Sequence, residues 1–316
     1  EQKTKPTQHS VKELQSLGLE PDMIIGRSGS ELDKEVSEKI ALFCDVNKQA
    51  VISDPDLKYI YQLPIELDKQ NVDKLIADKM QLPERTEGIE SWREKVQALE
   101  NGVVAEIAIC GKYTDIDDSY ASVEEALKHA GAELGGQVQI EYIDTENFEK
   151  TSLEGFDGVI IPGGFGSRGV EGKINAIQHC RENDISILGL CYGMQLMTIE
   201  FARNVLGIRN AVSEEFAETD QECVVAEMPG QKDIEEMGGT MRLGSYTAEI
   251  QGQVSQIYGS KTATERHRHR YEINPEYHEK LEDNGLKISG KMQEGNLAEY
   301  IELPENKFFI GTQAHP

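Results

Sequence analysis

The sequence predicts an α/β protein whose larger part is a doubly wound, mostly parallel sheet, preceded by the tail of a second α/β unit. From residue 105 onward, short apolar runs alternate with segments of helical periodicity. That order buries parallel strands beneath helices on both faces. Two glycine-bearing turns, at Gly163-Gly164 and around Cys191, follow such apolar runs. They fall where open α/β sheets bind ligands, at the carboxyl ends of strands. The third observation is the stretch 185–195, which reads as a short buried strand, a Gly-X-Cys-X-Gly turn and the start of a helix. Strand, tight turn and helix in that order describe a nucleophile elbow.

The elements follow in order. Residues 2–8 read Gln-Lys-Thr-Lys-Pro-Thr-Gln and are expected to form a loop. Its ammonium and hydroxyl groups suit phosphates. A helix follows over 10–17, stopped by Gly18, then a strand at 23–25. Residues 31–43 form an amphipathic helix with Leu32, Val36, Ile40 and Phe43 on one face and Lys39 off it. A strand at 50–53 and weaker helices lead to residue 80. The polar stretch 81–102 contains a linking helix at 89–99 with the only tryptophan, Trp92. The expected division is 1–85, a linker at 86–103, and 104–316. In the last part strands are expected at 105–110, 138–143, 158–161 and 185–188, with helices at 119–132, 170–182 and 194–206. Strands at 241–250, 286–292, 297–303 and 308–313 complete it.

Composition narrows the class. Among 316 residues, 57 acidic side chains against 32 basic give a net charge of −25. Such an excess disfavours nucleic-acid or anionic-membrane binding. No apolar run reaches the ~20 residues of a membrane helix, and no signal peptide is visible, so a cytoplasmic location is expected. The five cysteines are scattered without Cys-X-X-Cys spacing, which argues against a zinc site or a disulfide framework. The chain opens on Glu1 and stops at Pro316 just after a strand-like run, as a piece of a longer protein would.

Cys191 sits at a helix N-terminus, where the dipole and free N–H groups favour a thiolate. The 162–169 turn, Pro-Gly-Gly-Phe-Gly-Ser-Arg-Gly, lacks the Gly-Lys-Ser/Thr of a P-loop. Beside a nucleophile it suits an oxyanion hole, with the N–H of Tyr192 as a second donor. Thiol acyl transfer also needs a base. Of seven histidines, His315 follows the strand expected at 308–313 and is the candidate. A third group usually orients such an imidazole. The 265–272 run, Glu-Arg-His-Arg-His-Arg-Tyr-Glu, leaves open by itself a functional strand or ordinary surface charge.

The motifs at 162–166, 189–195 and 313–316 together resemble the class I glutamine amidotransferases. Those at 3–14, 39–44, 238–244 and 265–272 narrow the resemblance to the CTP synthases, over essentially the whole chain. The resemblance implies that 1–85 is the tail of a P-loop-type synthetase domain and that 104–316 is the amidotransferase. The synthetase would phosphorylate UTP with ATP and Mg²⁺, and ammonia from glutamine would reach the activated uracil internally. It implies Cys191 as nucleophile and His315 as acid/base. Gly164 and Tyr192 would supply oxyanion N–H groups, and Gly193, Met194, Gln195, Glu215 and Arg270 would line the glutamine site. Lys3, Thr4, Lys5, Pro6, Thr7, Gln8 and Lys39 would hold UTP or the inhibitor CTP. Phe165, Arg168 and the segment before Gly238 would serve allosteric GTP. It also implies a homo-oligomer, a tetramer, without nucleic-acid or membrane partners. The family's P-loop and Mg²⁺ ligands would lie upstream of residue 1, so no metal site is expected here, and its third acid would follow Pro316. Another amidotransferase or a glutamyl hydrolase would share Cys191 and His315 but leave 3–8 unexplained. A non-catalytic nucleotide-binding or assembly module would fit the missing acid.

Overall fold

The computed structural model describes residues 2–83, 88–111, 120–227, 241–292 and 296–316. The chain divides into two compact units, Glu1–Asn101 and Gly102–Pro316.

In the first unit, α1 (Lys5–Ser16), β1 (Ile24–Ser28), α2 (Lys34–Cys44) and β2 (Val51–Pro55) enclose a small core. The two strands pair in parallel. Val11, Ile24, Ile40, Ala41, Cys44 and Val51 are buried there, with Leu32 and Val36 packed against them. Phe43, expected on the same face, is half exposed at 52 %. The helix starts at Lys34, and its buried stripe runs through Ile40, Ala41 and Cys44. The segment expected as a loop at 2–8 is mostly helix. Thr4 occupies the N-cap of α1 and Pro6 its first turn. Proline lacks only an N–H that is unpaired at a helix start, and its fixed φ suits that turn. The unit continues through α3 (Leu63–Lys69), α4 (Val72–Met80) and α5 (Glu90–Ala98). Trp92 in α5 donates its indole N–H to the carbonyl of Tyr61 at 2.9 Å.

The second unit opens with β3 (Val103–Gly111), α6 (Ala121–Glu133), β4 (Gln137–Asp144), β5 (Gly158–Ile161), α7 (Val170–Glu182), β6 (Ser186–Leu190) and α8 (Tyr192–Asn204). It continues through β7 (Ala211–Ser213), β8 (Glu222–Glu227), β9 (Arg242–Ile250), α9 (Gly252–Tyr258), β10 (Thr262–His269) and β11 (Tyr271–Ile273). The last elements are α10 (His278–Asp283), β12 (Lys287–Met292), β13 (Leu297–Glu302) and β14 (Phe309–Thr312). Among the described residues the main sheet has nine strands in the order β10-β9-β12-β13-β14-β6-β5-β3-β4. Its centre, β14-β6-β5-β3-β4, is parallel. The remaining strands extend it antiparallel from β14. A three-stranded sheet, β11-β8-β7, stands beside it.

Helix α8 runs through the core and buries polar side chains along with apolar ones. Thr198 and Glu200 are fully buried along with Met194, Leu196, Met197 and Phe201. Glu200 is stabilised there by a two-pronged contact from Arg181 on α7, at 2.9 and 2.8 Å. The planar guanidinium matches both carboxylate oxygens, which makes such a charge tolerable in the core.

Candidate active site

Three strand ends of the parallel centre converge. Strand β5 delivers Gly163 and Gly164, β6 delivers Cys191, and β14 delivers Gln313 and His315. Cys191 lies between β6 and α8 with φ 50° and ψ −99°. A non-glycine residue in that region stores about 1–3 kcal/mol, kept in place only by its surroundings. The surroundings here are glycines and a hydrogen bond. A Cβ on Gly193 would overlap the carbonyl oxygen of Ile161, and one on Gly189 would overlap Met197 Sδ. The backbone N–H of Cys191 donates to Thr312 O at 2.7 Å. The Gly-X-Cys-X-Gly spacing is therefore a packing requirement of the elbow.

Gly163 lies between the two candidate side chains. A Cβ built on it would lie 3.1 Å from His315 Cε1 and 3.9 Å from Cys191 Cβ. His315 is tied to the outermost sheet strand through its backbone, whose N–H donates to Arg266 O at 2.7 Å. Burial, then His269 and Arg268, lowers its affinity for a proton below the usual 6.5. It is thus a neutral imidazole at neutral pH, ready to accept a proton.

The thiol differs from the thiolate expected from the helix terminus. Burial pushes Cys191 up to about 12, and the carboxylates of Glu272 and Glu215 add to this. The Tyr192 N–H and the Gln313 amide oppose the shift but do not outweigh it. In the free site the sulfur is a protonated thiol.

Gly164 lies beside the Tyr192 ring, its notional Cβ 3.6 Å from Cδ1. The same turn is tied down further along. Tyr192 donates its hydroxyl to Gly166 O at 2.5 Å, and Glu215 accepts the Gly166 N–H at 2.9 Å. Glu215 thus stands at the glycine turn that packs against Cys191. Gln195 is 3 % exposed, and its amide nitrogen donates to Tyr271 O at 2.8 Å and Gln313 Oε1 at 3.2 Å. Any contact it makes with a substrate falls to its other atoms. Met194 is buried against Gly311. Arg270 lies between β10 and β11, next to Tyr271. Phe165 is 65 % exposed, and Arg168 pairs with Glu146 at 2.5 Å on the surface. The segment before Gly238 lies outside the described residues.

The 265–272 run is sorted by the strand. On β10, Arg266 and Arg268 are exposed while His267 and His269 are buried. His269 Nε2 lies 2.7 Å from Glu272 Oε1, and Arg242 Nη1 reaches Glu272 at 3.1 Å and Glu299 at 2.6 Å. Of the two alternatives, surface charge does not describe the two histidines and Glu272, which join Arg242 and Glu299 in a buried charged cluster. Its period-two signal was present in the sequence, since alternate residues of a strand face opposite sides.

In the first unit, a groove of about 490 Å³ is lined by Gln2, Lys3, Thr4, Lys5, Pro6, Glu35, Val36 and Lys39. It gathers three lysines at the start of α1. Thr7 and Gln8 stand outside this lining, and Gln8 instead donates to the Thr4 hydroxyl at 3.0 Å. Among the described residues no three His, Cys, Asp or Glu side chains are grouped to hold a metal, and no helix is long and apolar enough to cross a membrane.

The chain is similar to known proteins over its whole length. Residues 1–82 match the family described as CTP synthase N-terminus. The CTP synthase of Methanocaldococcus jannaschii is 50% identical over 100% of this chain and 61% of its own length. That of Staphylococcus aureus is 45% identical over 100% of the chain and 60% of its own. The chain thus spans about 60% of the length of these relatives. Among solved structures, the glutaminase domain of Trypanosoma brucei CTPS with bound acivicin superposes with a TM-score of 0.63. It is 38% identical and covers 67% of this chain and 86% of that one. The elbow, the glycine turn and the histidine all fall within residues 115–316, which match glutamine amidotransferase class-I, and the chain belongs to that family.

Proposed function

We propose that this chain is the amidotransferase and part of the synthetase of a glutamine-hydrolysing CTP synthase. The observation that carries the reading is the convergence of Cys191, Gly163 and His315 in a chain aligned throughout with CTP synthases. Glutamine enters with its α-ammonium toward Glu215 and its carboxylate toward Arg270. Neutral His315 takes the Cys191 proton as the sulfur attacks the side-chain amide carbon. The N–H groups of Gly164 and Tyr192 receive the oxyanion, with Gly193 and Met194 shaping the wall behind it. Ammonia leaves with a proton from His315, and water then releases glutamate from the thioester.

The groove at the start of α1 supports a nucleotide triphosphate, UTP as substrate and CTP as inhibitor. Lys3, Lys5 and Lys39 supply charge, and α1 directs free N–H groups toward anions. On this reading ATP and Mg²⁺ act at residues upstream of Glu1. GTP regulates through the surface around Phe165 and Arg168, and the protein works as a cytoplasmic homo-oligomer. Another amidotransferase or a glutamyl hydrolase leaves the 1–82 match unexplained, and a non-catalytic module leaves the strained Cys191 unexplained.

The test is Cys191→Ala in the full-length protein. CTP formation from glutamine should vanish while formation from added ammonia persists. Equal loss of both would refute the division of labour between the two units.

A further inference from the structure

The side chain that touches the sulfur of Cys191 is Gln313, from the end of β14. Its Nε2 lies 3.5 Å from Cys191 Sγ, and the residue is fully buried. Which end of its carboxamide faces the sulfur is fixed by neighbours rather than by choice. The Tyr271 carbonyl can only accept, so Gln195 must present its amide nitrogen there. That nitrogen carries a second hydrogen, which goes to Gln313 Oε1. With its oxygen engaged, Gln313 has only N–H to offer the sulfur.

The relay is locked from behind. The Gln313 backbone N–H donates to Glu299 O at 2.9 Å. Glu299 pairs with Arg242, Arg242 with Glu272, and Glu272 adjoins Tyr271, whose carbonyl began the relay. The contacts form a closed ring through β9, β11, β13, α8 and the end of β14. Such a buried polar network restricts how the carboxamide can turn.

We propose that Gln313 is a further catalytic residue of the glutaminase site, donating a fixed N–H to the Cys191 sulfur whenever that sulfur carries negative charge. This rests on the glutaminase reading above. A thiol gains little from such a donor, whereas a thiolate gains a charge-assisted hydrogen bond. The charge develops twice. It appears first when His315 removes the thiol proton and the S–C bond to the glutamine amide carbon forms. It appears again when water has added to the thioester, the C–S bond breaks, and the electron pair returns to sulfur. Gln195 is the positioning residue that aims the donor.

The experiment reads the thiol independently of turnover. Cys191 alkylation by iodoacetamide is followed across pH in the full-length protein, with peptide mapping to separate it from the other four cysteines. Two variants are compared, Gln313→Leu and the isosteric Gln313→Glu, which keeps the volume if the first fails to fold. Both should slow Cys191 alkylation at pH 8 by about tenfold or more and move its pH profile upward. Gln195→Met should move it in the same direction by a smaller factor. The glutamine kcat should fall by a similar factor while KM changes by less than about threefold, because the donor meets sulfur rather than substrate. An alkylation profile in Gln313→Glu that overlays the unaltered protein would overturn the proposal, even if turnover falls. If alkylation shifts as expected and neither protein hydrolyses glutamine, it is the glutaminase reading that fails.

Discussion

Arg242 and Glu299 face each other at 2.6 Å with side chains only 3% and 1% exposed. Glu272 shares the same guanidinium. Two carboxylates around one fixed cation leave an excess charge in a dry site. Burial, then Glu272, accordingly pushes Glu299 up to about 7, against the pull of Arg242. The folded protein therefore keeps a proton on Glu299 in a window, from the usual 4.5 to about 7, where the unfolded chain has lost it. Stability from this group falls as pH rises through that window.

Glu299→Gln removes the titration while keeping the shape. Its melting temperature relative to the unaltered protein should climb between pH 5 and 8. The change corresponds to at most about 3 kcal/mol, on top of a constant offset from the altered Arg242 contact. Melting curves recorded across that range in the full-length protein test this. Parallel pH dependences would mean that Glu299 is ionised throughout.

His315 leads to a second pH prediction. Its lowered proton affinity keeps the neutral base available further into acid than an ordinary histidine would. The acid limb of kcat/KM for glutamine should therefore lie below pH 6.5. Arg268→Met removes one of the charges that depress it, so the limb should move upward. A pH–rate profile of both proteins decides. A limb at or above 6.5 in the unaltered protein contradicts the assignment.

Lys5 lines the groove at the start of α1 together with Lys3 and Lys39. Losing one charge-assisted phosphate contact costs about 1.5–3 kcal/mol, roughly a 10- to 150-fold weakening. Lys5→Ala should raise the UTP requirement and blunt CTP inhibition together. Glutamine hydrolysis without nucleotides should change little. Paired UTP and CTP titrations measure it, and unchanged responses to both would remove Lys5 from the site.

What the sequence revealed was what is local. The elbow at Cys191 is a strand, a turn and a helix within about a dozen residues, and its glycines mark the close approach of Ile161 and Met197. Gly163 and His315 were legible for a related reason, since each follows the end of an apolar strand. Pro6 misled, because a proline that stiffens a loop and one that opens a helix look alike in a single sequence. The burial of Glu200 was not legible either, because its partner, Arg181, comes from another helix. Arg242, Glu272, Glu299 and the orientation of Gln313 were out of reach. Their ring closes only through strand pairings that no short window contains. The thiol state of Cys191 was hidden for the same reason, because two of the groups that raise it, Glu272 and Glu215, arrive from the smaller sheet and the turn beside it.

The pairing of β6 with β14 has a consequence for biosynthesis. Cys191 and the amide that faces it are 122 residues apart in sequence. Joining such distant segments is slow, and a chain emerging from the ribosome meets its partners in order. A nascent protein that has completed α8 possesses the sulfur but neither the carboxamide nor the imidazole. On the reading proposed above, a chain that ends short of β14 lacks both groups that would act on that sulfur. The site is therefore assembled only by the pairing of β14 with β6, and not by the elbow alone.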